Sequence, residues 1–328
     1  MSLDADQIVD RRRMRRKLTF WRVLAVVLAI AIVMGIGAAL RTPGVDVLGG
    51  AGGASIARIS ITGLIRTDQE RVAALDRLAR SRTKAVIVHV NSPGGTTSGS
   101  EELHRSLVAL KEKKPTVVVV DGLAASGAYI AAIASDHIVA QETSLVGSIG
   151  VLFQYPNVGD LLGKLGVSME EIKSSPLKAA PNGYEPTSAE ARAAIAAIVK
   201  DSYDWFRDLV KNRRHLDDEA LDHVADGRVF TGRQGVPLKL VDELGDEQTA
   251  IAWLAKERDI DPKTPVRDYR LHDRLGDLPF LHTVVIAVLD TAGFRALAQR
   301  METWSTLQAV DQLNLDGLLA LWHPSAGN

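Results

Sequence analysis

One serine in this sequence stands where a strand should hand over to a helix. Thr116–Val120 is a run of β-branched apolar residues, short enough for a buried strand. Asp121-Gly122 breaks the run, and after Ala124-Ala125-Ser126-Gly127 the small residues up to Ala134 read as a helix buried on most sides. Ser126 therefore falls at a helix N-terminus, where unpaired amides and the positive end of the dipole favour negative charge on a hydroxyl or an acyl intermediate. The flanking Ala and Gly residues leave the hydroxyl uncovered and let a substrate backbone come close. These residues alone fit a nucleophile and a plain helix N-cap equally well.

A second predicted strand, Ala85–Val90, runs into Asn91-Ser92-Pro93-Gly94-Gly95, with a helix starting near Ser98. A Pro-Gly-Gly turn at a strand end exposes backbone N–H groups, which an oxyanion site needs. A lone SPGG is better explained as an ordinary turn. Two strands ending in SPGG and in AAS-G with a helix between them form a more specific combination. On these residues the chain resembles the signal peptide peptidase A family, bacterial membrane proteases with a Ser-Lys dyad, whose core is similar to the Clp protease and crotonase folds. The resemblance extends from about Ala57 to about Ala255 and includes the segment ADGRVFTGRQGVPLKLVDELG. It implies an α/β fold with a repeated ββα core, a mainly parallel sheet and one preceding transmembrane helix.

A nucleophilic serine needs a base. His89, His104 and His137 lie within a predicted strand, on a helix face and at a strand start, none on a loop that visibly meets the serine, so each is read as structural. The resemblance instead carries the base to Lys178 in KSSPLK. A free lysine titrates near ~10.4 and acts as a base only where desolvation lowers that value. Pro176, Leu177, Ala179, Ala180 and Pro181 supply apolar neighbours, although Pro176 stands where relatives often carry a small residue. Lys173, beside Glu170-Glu171, is the rival and reads as a solvated charge. By resemblance Ser148 in GSIG would orient the lysine, and the amides of Gly95 and Gly127 would form the oxyanion hole. Residue type alone would make Ser148 a turn residue.

The elements that must position these groups alternate between strand and helix, as in a parallel sheet with packed helices. Ala57–Thr62 reads as a strand, and Gln69 to Ala79 as a helix with Val72, Leu75, Leu78 and Ala79 inward. Glu101–Lys111 shows Leu103, Leu107 and Leu110 on one helical face, and His137–Ala140 is a short strand. Further on, the pattern predicts a helix over Asn157 to Leu165, a strand over Ser168–Lys173 and a loop over Ser174 to Pro186. Thr187 is expected to cap a long helix to Arg213 with Ala191, Ile195, Ile198, Tyr203, Phe206 and Val210 buried. The glycines of the segment 221–244 read as turns, Leu240-Val241-Asp242 as a strand, and 247–258 as a helix. Phe294 to Trp322 is amphipathic at helical spacing, which fits core or oligomer packing.

The basic block Arg11 to Lys17 precedes the uncharged run Val23 to Leu40. As a helix that run spans about 27 Å, near the ~30 Å of a bilayer core, with Phe20 and Trp21 at its edge. The positive-inside rule puts the N-terminus in the cytoplasm and the rest outside it; a cleaved signal peptide is the competing reading. The expected organisation is a cytoplasmic N-terminus (1–20), an anchor (21–41), a flexible linker (42–56), a protease domain (57–258) and a C-terminal helical extension (259–328). A formal net charge of −1 gives no reason to expect nucleic acid, and the absence of cysteine excludes thiol chemistry and disulfides. The eight histidines show no metal-ligand spacing, so no metal or cofactor is expected. The resemblance implies a single-pass bacterial membrane endopeptidase with its domain outside the cytoplasm. Its substrates would be apolar peptides such as signal-peptide remnants, and it would form a homo-oligomer with sites shared between subunits. A crotonase-like acyl-CoA enzyme and an inactive scaffold of the same fold are the alternatives.

Overall fold

The apolar runs of the sequence become the centre of a parallel sheet. In the computed structural model the described residues are 17, 20–22, 55–272 and 319–322. Ten strands are described among them: β1 Ile56–Thr62, β2 Ala85–Ser92, β3 Gly94–Thr96, β4 Thr116–Ala125, β5 His137–Ala140, β6 Leu145–Gly147, β7 Val229–Thr231, β8 Glu243–Leu244, β9 Val266–Asp268 and β10 Leu319–Leu321. Eight form one sheet, in the order β7-β6-β4-β2-β1-β9, with β5 pairing β4 and β8 pairing β5. Every pairing in it is parallel except β6 with β7. The fold class is therefore α/β with a mostly parallel sheet.

Both faces of this sheet are covered, which is why its strands read as unbroken apolar runs rather than alternating ones. Val86, Val88, Val90, Val118 and Val120 face a cluster with Leu75, Leu78, Leu103 and Leu107 from α1 (Gln69–Ala79) and α2 (Thr97–Lys111). Ile87, Val117, Val119 and Val139 face Ala250, Ile251 and Leu254 on the other side. On α1 the buried residues are Arg71, Ala74, Leu75 and Leu78, so Val72 sits at the margin of the expected face.

Strand β4 forks the sheet. Its first half, Val117 to Val120, pairs with β5, and its second, Leu123 to Ala125, pairs with β6. The change of partner falls at Asp121-Gly122, where the register to β2 also shifts between Val90 and Ser92. The dipeptide expected to end the strand is thus an irregularity within it. The helices that follow are α3 Gly127–Ala132, α4 Gly159–Lys164, α5 Ala189–Arg214, α6 Asp218–Val224, α7 Gly232–Gly235 and α8 Glu247–Arg258.

Several expectations are corrected. Ser168–Lys173 forms no strand: no neighbour among the described residues pairs with it, and Ile172 is fully exposed. Ser188 rather than Thr187 caps α5, accepting from the Ala191 N–H, while Thr187 Oγ1 bonds Tyr155. Only Ala191, Phe206 and Val210 of that helix are buried, and Ile198 is 49% exposed, because its N-terminal half leaves the core. Gly232 and Gly235 lie in α7, behind a capping box of Thr231 and Gln234, rather than in turns. Leu240 and Val241 donate their N–H groups back to Gly235 O at 2.8 and 3.2 Å, so the strand begins only at Glu243.

The segment after 258, expected to be helical, contributes β9, parallel to β1, and β10, antiparallel to β3. Residues 319–321 are therefore strand, Trp322 follows them, and 294–318 of the amphipathic stretch lie outside the described residues. The chain divides into two units, 1–53 with 273–314 and 54–272 with 315–328. In the first, Phe20 and Trp21 are described, their rings edge to face with centroids 6.0 Å apart. The run Val23 to Leu40 lies outside the described residues, among which no helix is long and apolar enough to cross a membrane.

Candidate active site

Ser126 joins β4 to α3 with φ 55° and ψ −118°, a backbone conformation that side-chain-bearing residues rarely adopt. The strand forces this turn. Ala125 is still in register with Gly147 of β6, and the Ser126 N–H donates to Gly147 O at 2.8 Å. One residue later the chain is already helical, with the N–H groups of Tyr129 and Ile130 on Ser126 O. The hydroxyl makes no capping bond to the helix. Its hydrogen bond runs instead to Gly150 O at a long 3.4 Å. The plain N-cap reading therefore fails, because a cap side chain accepts from the first-turn amides. The N–H of Gly127, first in the helix, has no intrahelical acceptor.

Ser148 is brought beside this turn. It follows the last residue of β6, is itself at φ 51°, and its N–H donates to Arg228 O at 2.8 Å. Ser126 and Ser148 thus leave the ends of neighbouring parallel strands with similar backbone strain, and both are buried. The Ser148 hydroxyl has no hydrogen-bond partner among the described residues.

The SPGG turn lies at the end of the adjacent strand β2. Ser92 is fully buried and holds the turn from both sides, donating to Gly63 O at 2.6 Å and accepting from the Gly94 N–H at 3.1 Å. Gly95 is forced by packing. A Cβ there would stand 1.8 Å from Ile65 O, within the backbone bridge that ties residue 65 to residue 95. Sequence reasoning singled out Gly95 for its amide and missed both Ser92 and this close approach, which depends on a loop thirty residues away. Thr96 then caps α2 by accepting from the Gly99 N–H at 3.1 Å.

No hydrogen bond joins Lys178 to Ser126 among the described residues. The lysine sits in an exposed turn, its N–H on Ser175 O at 3.1 Å and its amine without a partner among the described residues. Lys173 pairs with Glu171 and, at 3.2 Å, with Glu185. The hydrogen bond to Glu171 chiefly raises its pKa, the opposite of what a base needs.

The three histidines have partners elsewhere. His104 Nδ1–H donates to Ile130 O at 2.7 Å, and burial above all pushes its pKa down to about 4. His137 stacks on Trp253 and faces Glu243 at 3.3 Å. His89 sits between Asp121 at 2.9 Å and Glu247 at 2.8 Å. Glu247 is held below the usual carboxylate range first by its hydrogen bond from Arg58. This Arg58-Glu247-His89-Asp121 network joins β1, α8, β2 and β4 on the sheet face away from α1 and α2. No sequence signal pointed to it. Among the described residues no group of side chains could hold a metal ion.

Comparison with known proteins places this arrangement. The family model "Peptidase family S49" matches residues 108–261, a span that holds Ser126, Ser148 and Lys178. A protein of Synechocystis sp., slr0021, named as an inferred protease, is 37% identical over 209 residues, covering 63% of this chain and 76% of its own length. A protein of Enterococcus faecium, named as an inferred signal peptide peptidase SppA, is 33% identical over 69% of this chain and 61% of its own. Protease 4 of Salmonella typhi is 34% identical over 60% of this chain, which spans only 31% of that protein. Among solved structures, ClpP1 from Listeria monocytogenes superposes with a TM-score of 0.37 and 13% identity, covering 58% of this chain and 91% of that one. On the extent and identity of the Synechocystis match together with the family model, the chain belongs to peptidase family S49.

Proposed function

We propose that this peptidase-family chain is a membrane-anchored serine endopeptidase with Ser126 as nucleophile, Lys178 as base and extended apolar peptides as substrates. The observation that carries the reading is the turn at Ser126. A strained residue at the head of α3 presents a hydroxyl that serves no capping purpose, beside the Gly127 amide and the SPGG turn. Strain of this kind costs roughly 1–3 kcal/mol and persists where it positions a reacting group.

In the reaction Ser126 Oγ attacks the substrate carbonyl and its proton passes to the neutral lysine amine. The Gly95 and Gly127 amides receive the charge that develops on the carbonyl oxygen. The ammonium then gives its proton to the departing amine, and water repeats the sequence to release the acyl group. Ser148, beside the nucleophile, would hold the lysine by its unpartnered hydroxyl.

Lys178 is supplied by a neighbouring copy. Two features support this: its amine has no partner among the described residues, and the segment around it exposes large apolar side chains. Leu161, Leu165, Ile172 and Leu177 are 57%, 68%, 106% and 46% exposed. Single exposed apolar residues are ordinary, whereas several within one short segment suit a surface that a partner covers. A lysine amine works as a base only when water is removed from it, and docking against a second copy would do that. Anchorage rests on the uncharged run Val23 to Leu40 after a basic block, with the catalytic domain outside the cytoplasm. Signal-peptide remnants at the membrane surface are then the natural substrates.

Mixing subunits tests the shared site. Ser126→Ala and Lys178→Ala chains are each inactive alone. In an equal mixture allowed to exchange, about a quarter of the interfaces pair an intact serine with an intact lysine, and activity returns in that proportion. No recovery in mixed oligomers, or full activity of a monomer, would overturn it.

A further inference from the structure

The strand β10 lies where an extended peptide must lie to meet Ser126, and we infer that this segment is a built-in occupant of the peptide groove, a pseudosubstrate carried by the chain itself. The inference rests on the peptidase reading of Ser126 and adds the shape and chemistry of what the site accepts.

Both edges of the segment are paired. Along β3 it runs antiparallel, with Leu319 opposite Thr96, Ala320 opposite Gly95 and Leu321 opposite Gly94. The Trp322 N–H donates to Pro93 O at 2.7 Å. Hydrogen-bonded pairs alternate along an antiparallel ladder, so the next such pair is Gly95 with Ala320. The Gly95 N–H, the amide assigned to the oxyanion hole, thus donates to the Ala320 carbonyl. On the opposite edge Leu319 exchanges both backbone bonds with Leu152, each at 3.0 Å. Leu152 is two residues beyond Gly150, whose carbonyl accepts from the Ser126 hydroxyl. The segment also packs on α2 and α3, the helices that begin beside the SPGG turn and at Gly127. A strand inserted between two edges, with its carbonyl on the candidate oxyanion amide, is how peptide substrates dock by strand addition.

The occupant describes the substrate. Leu319 is buried, and alanine is the residue whose carbonyl meets Gly95. The groove therefore suits an extended peptide with a small residue at the carbonyl being attacked and a branched apolar residue on its N-terminal side. The pairing is also built to be displaced. β10 has three residues and forms, with β3, a two-stranded sheet separate from the main one. Ribbons that short are marginal and open locally at little cost. A tethered segment nevertheless competes at an effective concentration of order mM, so free peptides must outbid it. Ser126 is 1% exposed with the segment in place, and its hydroxyl is expected to open to substrate when the segment leaves.

The test uses the full chain. Ala320→Pro removes the N–H that faces Gly95 O and puts a ring inside the strand, which excludes it from the ladder. In a Ser126→Ala background, where no chemistry can occur, a fluorescent peptide of residues 317–323 (GLLALWH) should bind the Ala320→Pro chain about tenfold more tightly than the unaltered one. With Ser126 present, KM for a fluorogenic apolar peptide should fall by a similar factor while kcat stays level. Leu319→Asp, which puts a charge at a buried strand position, should act the same way and replaces Ala320→Pro if that variant loses cooperative melting. Peptide binding and KM that ignore both substitutions would overturn the inference, even in an active enzyme. Tighter peptide binding without hydrolysis by any variant would support the groove and its occupant while refuting the peptidase reading.

Discussion

Replacing Ser126 by glycine should make the protein more stable and inactive at once. Ser126 holds φ 55° and ψ −118°, which a residue with a Cβ enters at a cost of roughly 1–3 kcal/mol. Glycine enters it freely but loses more chain entropy on folding, a cost of about 0.4–1 kcal/mol. The hydroxyl offers little in return, since its hydrogen bond to Gly150 O is 3.4 Å long and no helix amide uses it. The balance favours Ser126→Gly by about 1 kcal/mol, or about 2–4 °C in Tm for a domain of this size. Ser126→Ala keeps the strain and loses only the weak bond, so its stability should stay within about 0.5 kcal/mol of the parent. Urea and thermal unfolding measure both, with peptide hydrolysis alongside. If the serine were a cap, alanine would cost about 0.5–2 kcal/mol and glycine only a few tenths. A destabilised glycine variant, or hydrolysis surviving in either, would refute the reasoning that strain is kept here for chemistry.

His104 should make the domain sensitive to mild acid. Its pKa is pushed down to about 4, first by burial, with Arg213 and Lys111 adding to the effect and the Ile130 bond opposing it. The unfolded chain therefore binds the proton more readily, and the stability is present above the ordinary value near 6.5 and lost as pH falls towards 4. The loss is about 3 kcal/mol in all, and urea midpoints taken from pH 7 to 4 should show a flatter decline in His104→Gln. The proposed topology predicts that protease added to spheroplasts digests the domain from outside. A reporter active only in the cytoplasm, fused after Ala57, should be silent, and activity of that reporter would overturn both the orientation and the signal-peptide substrates.

The local elements around the site were legible without the structure because their signals are local. Val117 to Val120 and Ala85 to Val88 are apolar on both faces, as short strands covered on both sides are, and both lie in strands. Gln69–Ala79 and Glu247–Arg258 begin after Asp68 and Asp246, whose side chains cap them, and the helices match their expected spans. Ser126 was identifiable as a residue between strand and helix, but the sequence left nucleophile and cap level. Only the geometry removed the cap, since whether a hydroxyl reaches a first-turn amide depends on the backbone angle imposed by pairing with β6.

Tertiary structure decided everything that needs a distant partner. Ser168–Lys173, read as a strand, finds no edge to pair with among the described residues and is irregular. Ile198 sits on the apolar stripe of its helix yet faces outward, because periodicity records a face and not what covers it. Leu319–Leu321 belongs by periodicity to a helix, and backbone partners more than one hundred and fifty residues away make it a strand. Gly95 looked like a source of an exposed amide. The fold pairs that amide with the chain's own carbonyl, because hydrogen-bonding edges brought together in three dimensions do not remain unpaired.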